Sequence, residues 1–277
     1  MIYFQGAVGA FSWLAAKEFF GLNEEFEGVA SFSDLFDKIE ENSLDLAVLP
    51  IENSLAGSVA GNYDLLYQKP AWVTGEVYLN IQHCLVATQN ANLNSIKEVY
   101  SHPTALAQCQ NFFLSNPQIL AKEFSNTSLA AEFVANQKNP KYAAIASKEA
   151  ANFFGLKILQ SDLEDDPKNW TRFLILKNRK GVESTFKNVT KASILYKLKK
   201  SQPASLFNSL KPFSQKGINI TNIQTRPISG SFFEYVFYLD FEFSDGQIPE
   251  VQKALLEVKN TVDELKVLGV YQKAKTF

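Results

Sequence analysis

LAVLPIENSLAGSV (residues 46–59) sets the reading of this chain, because an apolar run meets a proline and then a cluster of small hydrogen-bonding residues. Residues 46–49 suit a buried strand, and Pro50 cannot donate to a sheet ladder. Asn53, Ser54, Gly57 and Ser58 suit a chain turning into a helix with free backbone N–H groups, and such a helix start attracts anions. The stretch reads either as a ligand-binding turn or as an ordinary strand-to-helix connection. Its surroundings bear on the choice: short apolar strands alternate with helical patterns to about residue 178, the pattern of an α/β domain with mainly parallel sheets.

Working outward, IYF (2–4) reads as a strand followed by the glycine turn GAVGAFS and a helix to Phe20, and EGVAS (27–31) as a strand before a helix over 33–41. From Gly75 an extended run, EVYLNIQHCLVAT, carries the chain into a second lobe at about 80–157. That lobe holds VYSH with a helix from Pro103, ILAKEF with a helix after Asn126, and YAAIAS with a helix after Ser147. KILQSDL (157–163) and TRFLILK (171–177) read as strands around an acidic loop that return to the first lobe. Two α/β lobes joined by extended crossings place a cleft between them, and ligands bind such sheets at the carboxyl ends of the strands. Residues 179–190 are polar and of low periodicity, and read as a linker. Beyond it come strand (191–199), helix (203–215), strand (218–225), strand (232–243), helix (249–259) and strand (264–272), the split βαβ order βαββαβ.

Bulk properties narrow the function classes. The 277 residues are enough for two or three compact units, and a net charge of −2 gives no nucleic-acid or membrane surface; the densest basic run, KLKK (197–200), reads as a solvated strand end. The N-terminus has no basic n-region and no apolar run approaches membrane-spanning length, so the expectation is a cytoplasmic protein. The two cysteines, Cys84 and Cys109, fit reduced buried thiols. A zinc site from His83, Cys84, His102 and Cys109 is disfavoured, because His83 and Cys84 are neighbours in a strand-like run and point to opposite faces.

Four segments carry the chemistry. In GAVGAFS, Gly6 and Gly9 are three apart and the middle glycine of a dinucleotide fingerprint is missing, so the turn brings a helix start to a small carboxylate or is a tight turn capped by Ser12. In SHPTALAQC, Pro103 suits the first position of a helix. Ser101 and Gln108, seven apart, then fall on nearly one angular side, either facing one ligand or serving as a cap and a surface residue. In NWTRF, Thr171 and Phe173 share one strand face and Arg172 takes the other, where it pairs with Glu164, Asp165 and Asp166 or binds a ligand. A β-branched Thr171 has a restricted χ1 and a well-aimed hydroxyl.

Taken together, GAVGAFS, LPIENSLAGSV, IQHCLVA, YSHPTALAQC, SNTSLAA, AAIAS and NWTRF resemble the prephenate dehydratase family in order and spacing. The segment PASLFNSLKPFSQKGINITNIQTRPI resembles the regulatory ACT domain that follows the catalytic domain in that family. The resemblance implies a two-lobed, periplasmic-binding-protein-like catalytic domain over 1–180 and a ferredoxin-like ACT domain over 190–277. The implied activity is conversion of prephenate to phenylpyruvate with loss of water and carbon dioxide, without metal or redox cofactor. By matching motifs Thr171 resembles the essential hydroxyl, with Asn53, Ser101 and Gln108 as its partners around the substrate. Gly9, Ser12, Glu52, Ser54, Gly57, Ser58, Asn126, Thr127, Ser147, Arg172 and Phe173 fall in matching segments and are expected to line or support the site. A Thr hydroxyl is a poor acid, so Thr171 is expected to donate a hydrogen bond within a network. The substrate carboxylates are expected on helix starts and polar side chains.

The departures from the family pattern are local. Ala7 and Ala10 replace the proline and threonine usual in the first turn. The resemblance puts a phenylalanine site at Ala204, Ser205 and Leu206, where GAL is usual, and at Gln224, Thr225, Arg226 and Pro227, where ESRP is usual. The Ala204 methyl and the uncharged Gln224 weaken the expectation of phenylalanine as effector. A homodimer or homotetramer is also implied. Two other functions fit the same motifs: an arogenate dehydratase, and an amino-acid sensor or solute-binding protein that has lost catalysis.

Overall fold

The structure is a computed structural model that describes residues 1–277 apart from 181, 183–185, 200–202, 233 and 275–277. Parts of the expected linker, Lys200 of the basic run, Phe233 of an expected strand and the last three residues of the ACT-like segment thus lie outside the described residues. From the N-terminus the chain forms β1 (Ile2–Gln5), α1 (Phe11–Phe20), β2 (Phe26–Val29), α2 (Phe32–Glu41), β3 (Leu46–Asn53), β4 (Gly57–Ser58), α3 (Ala60–Gln68) and β5 (Ala71–Asn80). Then come β6 (Cys84–Ala87), β7 (Glu98–Ser101), α4 (Pro103–Ala107), α5 (Gln110–Ser115), β8 (Leu120–Glu123), α6 (Thr127–Gln137), β9 (Tyr142–Ala146), α7 (Lys148–Phe153), β10 (Lys157–Gln160) and β11 (Trp170–Asn178). The remainder, β12 (Lys191–Leu198), α8 (Ser205–Gln215), β13 (Asn219–Pro227), β14 (Tyr235–Glu242), α9 (Ile248–Thr261) and β15 (Val262–Tyr271), has the expected βαββαβ order. Among the described residues no helix is long and apolar enough to cross a membrane.

These elements pack as two compact units assembled from interleaved stretches. The first comprises Met1–Leu35, Ala47–Val59 and Val77–Phe173, the second Phe36–Leu46, Ala60–Glu76 and Leu174–Phe277. Local patterning gives no sign of this interleaving, since it depends on which distant segments bury surface together.

The first unit has two α/β lobes. In one, β2, β1, β3 and the start of β11 are neighbours in that order, with β1 and β2 parallel. In the other the order is β10-β6-β9-β7-β8. Here β7 runs parallel to β8 and β9, while β6 runs antiparallel to β9 and β10, so the expectation of a mainly parallel sheet holds for its helix-connected strands only. The two-residue period of a strand explains this lobe's core. Leu85, Ala87, Ala143 and Ile145 face one apolar cluster with Cys109, and Cys84, Val86, Ala144 and Ala146 face the other with Ala130, Ala131, Ala150 and Ala151. Both thiols are thus buried, one on each side of the sheet.

The stretch 46–59 departs from its expected shape. Strand β3 runs through Pro50 to Asn53 and folds back in a hairpin, with Glu52 opposite Ser58 and Asn53 opposite Gly57 before α3 begins. The N–H groups expected to be free are taken: Leu55 and Ala56 donate to Asn53 Oδ1 (3.0 and 2.8 Å), Ser54 to the Trp170 carbonyl (2.8 Å) and Val59 to the Ile51 carbonyl (2.9 Å). This corrects the reading of 53–58 as an anion-binding helix start.

The glycine turn 6–9 clamps the lobes together. Gly9 has φ +86°, and a Cβ there would lie 2.5 Å from the Ala150 backbone. The Gly9 carbonyl accepts from Ser147 Oγ at 2.6 Å and the Val8 carbonyl from Ser128 Oγ at 2.5 Å. Gly9→Ala should therefore cost at least about 2 kcal/mol, from overpacking and left-handed strain together; a lower urea midpoint with unchanged slope is the expected readout.

In the second unit β13-β14-β12-β15 form an antiparallel array, and β5 joins β15 in parallel where Gly269 meets Val73. Tyr196, Phe213, Phe241, Val251 and Val258 centre its core. Val182 and Phe186, from the expected linker, pack against that core rather than forming a purely polar tether. Ala204 is left-handed (φ 65°) at the start of α8, and Ser205 and Leu206 open that helix. Gln224, Thr225, Arg226 and Pro227 end β13, where Arg226 forks onto Asp64 of α3 (2.9 and 2.8 Å). Asn222 donates to Tyr63 Oη at 3.2 Å, and Tyr238 Oη donates to the Tyr63 carbonyl at 2.6 Å.

Candidate active site

A cavity of about 470 Å³ opens in the first unit, a volume suited to a small organic ligand. It lies at the carboxyl ends of β1, β3, β7 and β8, through Gln5, Asn53, His102 and Ser125, with Thr171 and Phe173 reaching in from β11. Thr171 and Phe173 both line it and Arg172 does not, as the strand alternation predicts. Among the described residues no Lys, Arg, Asp or Glu lines the cavity. Its polar surface is amide, hydroxyl and imidazole, together with the starts of α1 (Ala10, Phe11, Ser12) and α6 (Asn126, Thr127). Ala10 caps α1 with no side-chain hydrogen bond, whereas Asn126 Oδ1 accepts from the Ser128 and Leu129 N–H groups (2.8 and 2.9 Å).

Five polar side chains form a network whose direction is set by the backbone. Asn53 Oδ1 accepts from the N–H groups of Leu55 and Ala56, so Asn53 Nδ2 is the donor to Asn169 Oδ1 (2.7 Å) and Thr171 Oγ1 (2.9 Å). Asn169, with its oxygen occupied, donates through Nδ2 to Gln108 Oε1 at 3.0 Å. Gln108 in turn donates through Nε2 to Asn53 Oδ1 at 3.3 Å, and its Oε1 faces His83 Nε2 at 3.1 Å. That oxygen can only accept, so His83 carries its proton on Nε2. At the other end, Thr171 Oγ1 already accepts from Asn53, which leaves its own proton for a group in the cavity.

His83 is 2% exposed and packs edge-on to Phe11 at 5.4 Å. Burial pushes its imidazole below the ordinary histidine range, opposed by the Gln108 hydrogen bond and by Glu164. The neutral form therefore persists as pH falls through about 6.5, whereas an unfolded chain takes up the proton there. This group's contribution to stability should decline below that pH, as the unfolded state binds more protons. With only two histidines in the chain, ¹⁵N imidazole spectra can follow His83, and an Nε2–H neutral tautomer at pH 6.5 is the expected observation.

The remaining expected site residues divide into two groups. Asn53, Gln108, Thr171, Ser12, Gly57, Ser58, Asn126, Thr127 and Phe173 line the cavity, although Ser12 sits inside α1 and is not its cap. Ser101, Gly9, Glu52, Ser54, Ser147 and Arg172 do not line it. Ser101 is fully buried and its hydroxyl donates to the Ile145 carbonyl at 2.6 Å. Its expected alignment with Gln108 along one helix fails because α4 ends at Ala107 and leaves Gln108 as the C-cap. Ser147 caps α7 while holding Gly9, and Ser54 ties the hairpin to the Lys168 carbonyl (2.7 Å) and the Trp170 N–H (2.9 Å). Arg172 Nη1 lies 4.0 Å from Glu52 Oε2. The acids of the loop Glu164–Asp166 accept from backbone N–H groups: Glu164 from that of His83 (2.7 Å), Asp165 from those of Gln110 and Asn111 (2.8 and 2.9 Å), and Asp166 from that of Lys168 (2.8 Å).

Two network members were not anticipated. Asn169 stood in plain view in NWTRF beside Thr171, and its polarity just before an apolar strand was the available signal. His83 figures in the sequence only as a disfavoured zinc ligand and as a member of the segment IQHCLVA. Among the described residues no three His, Cys, Asp or Glu side chains converge as a metal site, and burial pushes both thiols up.

Two lobes around an uncharged, donor-rich cavity define a small-ligand α/β protein of the periplasmic-binding-protein-like kind, here with a directed amide–hydroxyl relay. The chain belongs to the prephenate dehydratase family, whose model, described as prephenate dehydratase, matches residues 2–181. It is 38% identical over 279 residues to arogenate dehydratase/prephenate dehydratase 2, chloroplastic, of Arabidopsis thaliana, covering 98% of this chain and 72% of the relative. Its fold is similar to that of prephenate dehydratase from Arthrobacter aurescens in complex with L-Phe (TM-score 0.87, 25% identity, 98% of this chain and 90% of that one). It is similar to the same degree to a structure described as GqqA, a novel type of quorum quenching acylases (TM-score 0.87, 28% identity, 99% and 98%).

Proposed function

We propose that the protein converts prephenate to phenylpyruvate, with Thr171 as the hydroxyl that assists departure of the ring oxygen. The observation that carries this reading is the relay, in a chain of this family, that leaves the Thr171 proton free to donate into the cavity. In the reaction the bond from the ring to its carboxylate breaks and releases carbon dioxide. Its electrons become a ring π bond, and the C–O bond to the hydroxyl breaks with uptake of one proton to give water. Negative charge grows on that oxygen, and a hydrogen-bond donor preorganised by Asn53 stabilises it there. The two substrate carboxylates suit the uncapped start of α1 and the polar rim at Ser58 and Thr127, which fits a cavity without cationic side chains.

Further assignments go with this reading. Residues 1–180 form the catalytic domain and 190–277 an ACT domain, supported by the βαββαβ order. L-Phe is the candidate effector, acting at Ala204, Ser205, Leu206 and the end of β13, and the related L-Phe complex supports the idea. A cytoplasmic location and a homodimeric or homotetrameric state belong to the same proposal. Arogenate is the second candidate substrate, because a relative carries both activities in its name. The test is phenylpyruvate formation from prephenate, followed spectroscopically with and without L-Phe and compared with arogenate turnover. No phenylpyruvate from prephenate would sink the reading, and a higher kcat/KM on arogenate would reassign the substrate.

A further inference from the structure

His83 Nδ1 is a buried side-chain nitrogen with no hydrogen-bond partner among the described residues. The ring belongs to the cavity wall, and its other nitrogen is committed to Gln108 Oε1. The relay leaves no freedom in this. Gln108 Oε1 accepts from Asn169, Gln108 Nε2 is turned to Asn53 Oδ1, and Asn53 is held by two backbone N–H groups. His83 Nδ1 is therefore a lone-pair acceptor, and an unpaired acceptor in a buried setting is costly unless a ligand supplies a donor.

Prephenate has one group able to do so. Its two carboxylates and its keto oxygen only accept, whereas its ring hydroxyl both accepts and donates. On the reading given under Proposed function, we propose that His83 Nδ1 receives the hydrogen bond of the substrate's ring hydroxyl and is thus a substrate-binding residue that orients the leaving group. Thr171 and His83 then have opposite polarity: one presents a proton to the site, the other a lone pair. The product phenylpyruvate has lost the ring hydroxyl and with it this contact, so the interaction discriminates substrate from product. A site built to pair with a hydroxyl discriminates strongly against a ligand lacking it.

Two substitutions separate this role from support of Gln108. A glutamine at position 83 carries its amide nitrogen as far along the side chain as Nε2, so His83→Gln keeps a donor toward Gln108 and removes the Nδ1 acceptor. His83→Asn keeps an amide atom near Nδ1 and removes the donor. His83→Gln should lose about 10- to 100-fold in kcat/KM for prephenate, with product inhibition by phenylpyruvate unchanged. His83→Asn, with its oxygen in place, should weaken product binding as well, because the Gln108 end of the relay is released. Should the variants fold poorly, the wild-type ring still reports. In ¹⁵N-labelled Thr171→Val protein, the Nδ1 resonance should move upfield on adding prephenate and stay in place on adding phenylpyruvate.

Full prephenate activity in folded His83→Gln, or an Nδ1 resonance that ignores prephenate while the substrate binds, overturns the assignment. Loss of arogenate turnover alone overturns it too, since Nδ1 would then serve the amine. Wild-type protein that neither binds nor converts prephenate defeats the functional reading itself, and is recognised before any variant is made.

Discussion

Replacing Thr171 with valine lowers kcat/KM for prephenate by about 10²- to 10⁴-fold, the span typical of a positioned donor at a departing group. Valine has nearly the shape of threonine, and position 171 is only 9% exposed, so the change removes the hydroxyl with little disturbance of packing. It removes the acceptor of Asn53 Nδ2 at 2.9 Å and the proton that Asn53 directs into the cavity. Because Asn53 keeps its backbone contacts and its bond to Asn169, the relay survives and the loss should fall mainly on kcat. Thr171→Ser retains part of the activity, since the hydroxyl remains but its χ1 is no longer restrained by a second branch. Steady-state kinetics of the two variants beside the wild type, with circular dichroism to verify the fold, check this. Equal activity in both variants would end the proposed role of the hydroxyl.

Lys191→Met destabilises the second unit by about 3–5 kcal/mol, because it takes from a buried carboxylate the cation that faces both its oxygens. The side chains of Lys191 and Glu76 are 3% and 1% exposed, and Nζ lies 3.0 and 2.9 Å from the two carboxylate oxygens. Glu242 lies 3.9 Å from the same ammonium and is more exposed. The Ala274 N–H also donates to Glu76 at 3.2 Å, a contact that remains after the substitution and moderates the cost. Lys191→Met combined with Glu76→Leu should recover most of the loss, since an apolar pair of similar volume has no charge to desolvate. Urea unfolding of the single and double variants measures both effects. A single variant within about 1 kcal/mol of wild type would show that water reaches the pair.

Much of the local structure could be read from residue order alone. The period of two in β6, β9 and β11 gives the strands and their two faces, and this placed Thr171 and Phe173 together with Arg172 opposite. Small polar residues after each strand marked the turns that carry the cavity rim, among them Asn53, Gly57, Ser58, Asn126 and Thr127. The pattern along one element misleads where that element ends early or runs on. The pairing of Ser101 with Gln108 needs a helix that α4 does not complete, and a hairpin over 52–58 comes before the helix α3 expected after the turn.

Strand and helix periodicity, turn chemistry and a near-neutral charge balance are properties of the chain itself, so element order, the α/β class and the chemical types at the site were accessible without coordinates. Hydrogen-bond direction was not. It depends on Asn53, Gln108, Asn169 and His83 meeting across separations of 25 to 116 residues, and on two backbone N–H groups that orient the first of them. The interleaving of the two units is of the same kind, because burial is shared between segments remote in the chain. Tertiary packing thus turned a set of polar residues into a directed relay, with a hydroxyl proton at one end and a histidine lone pair at the other.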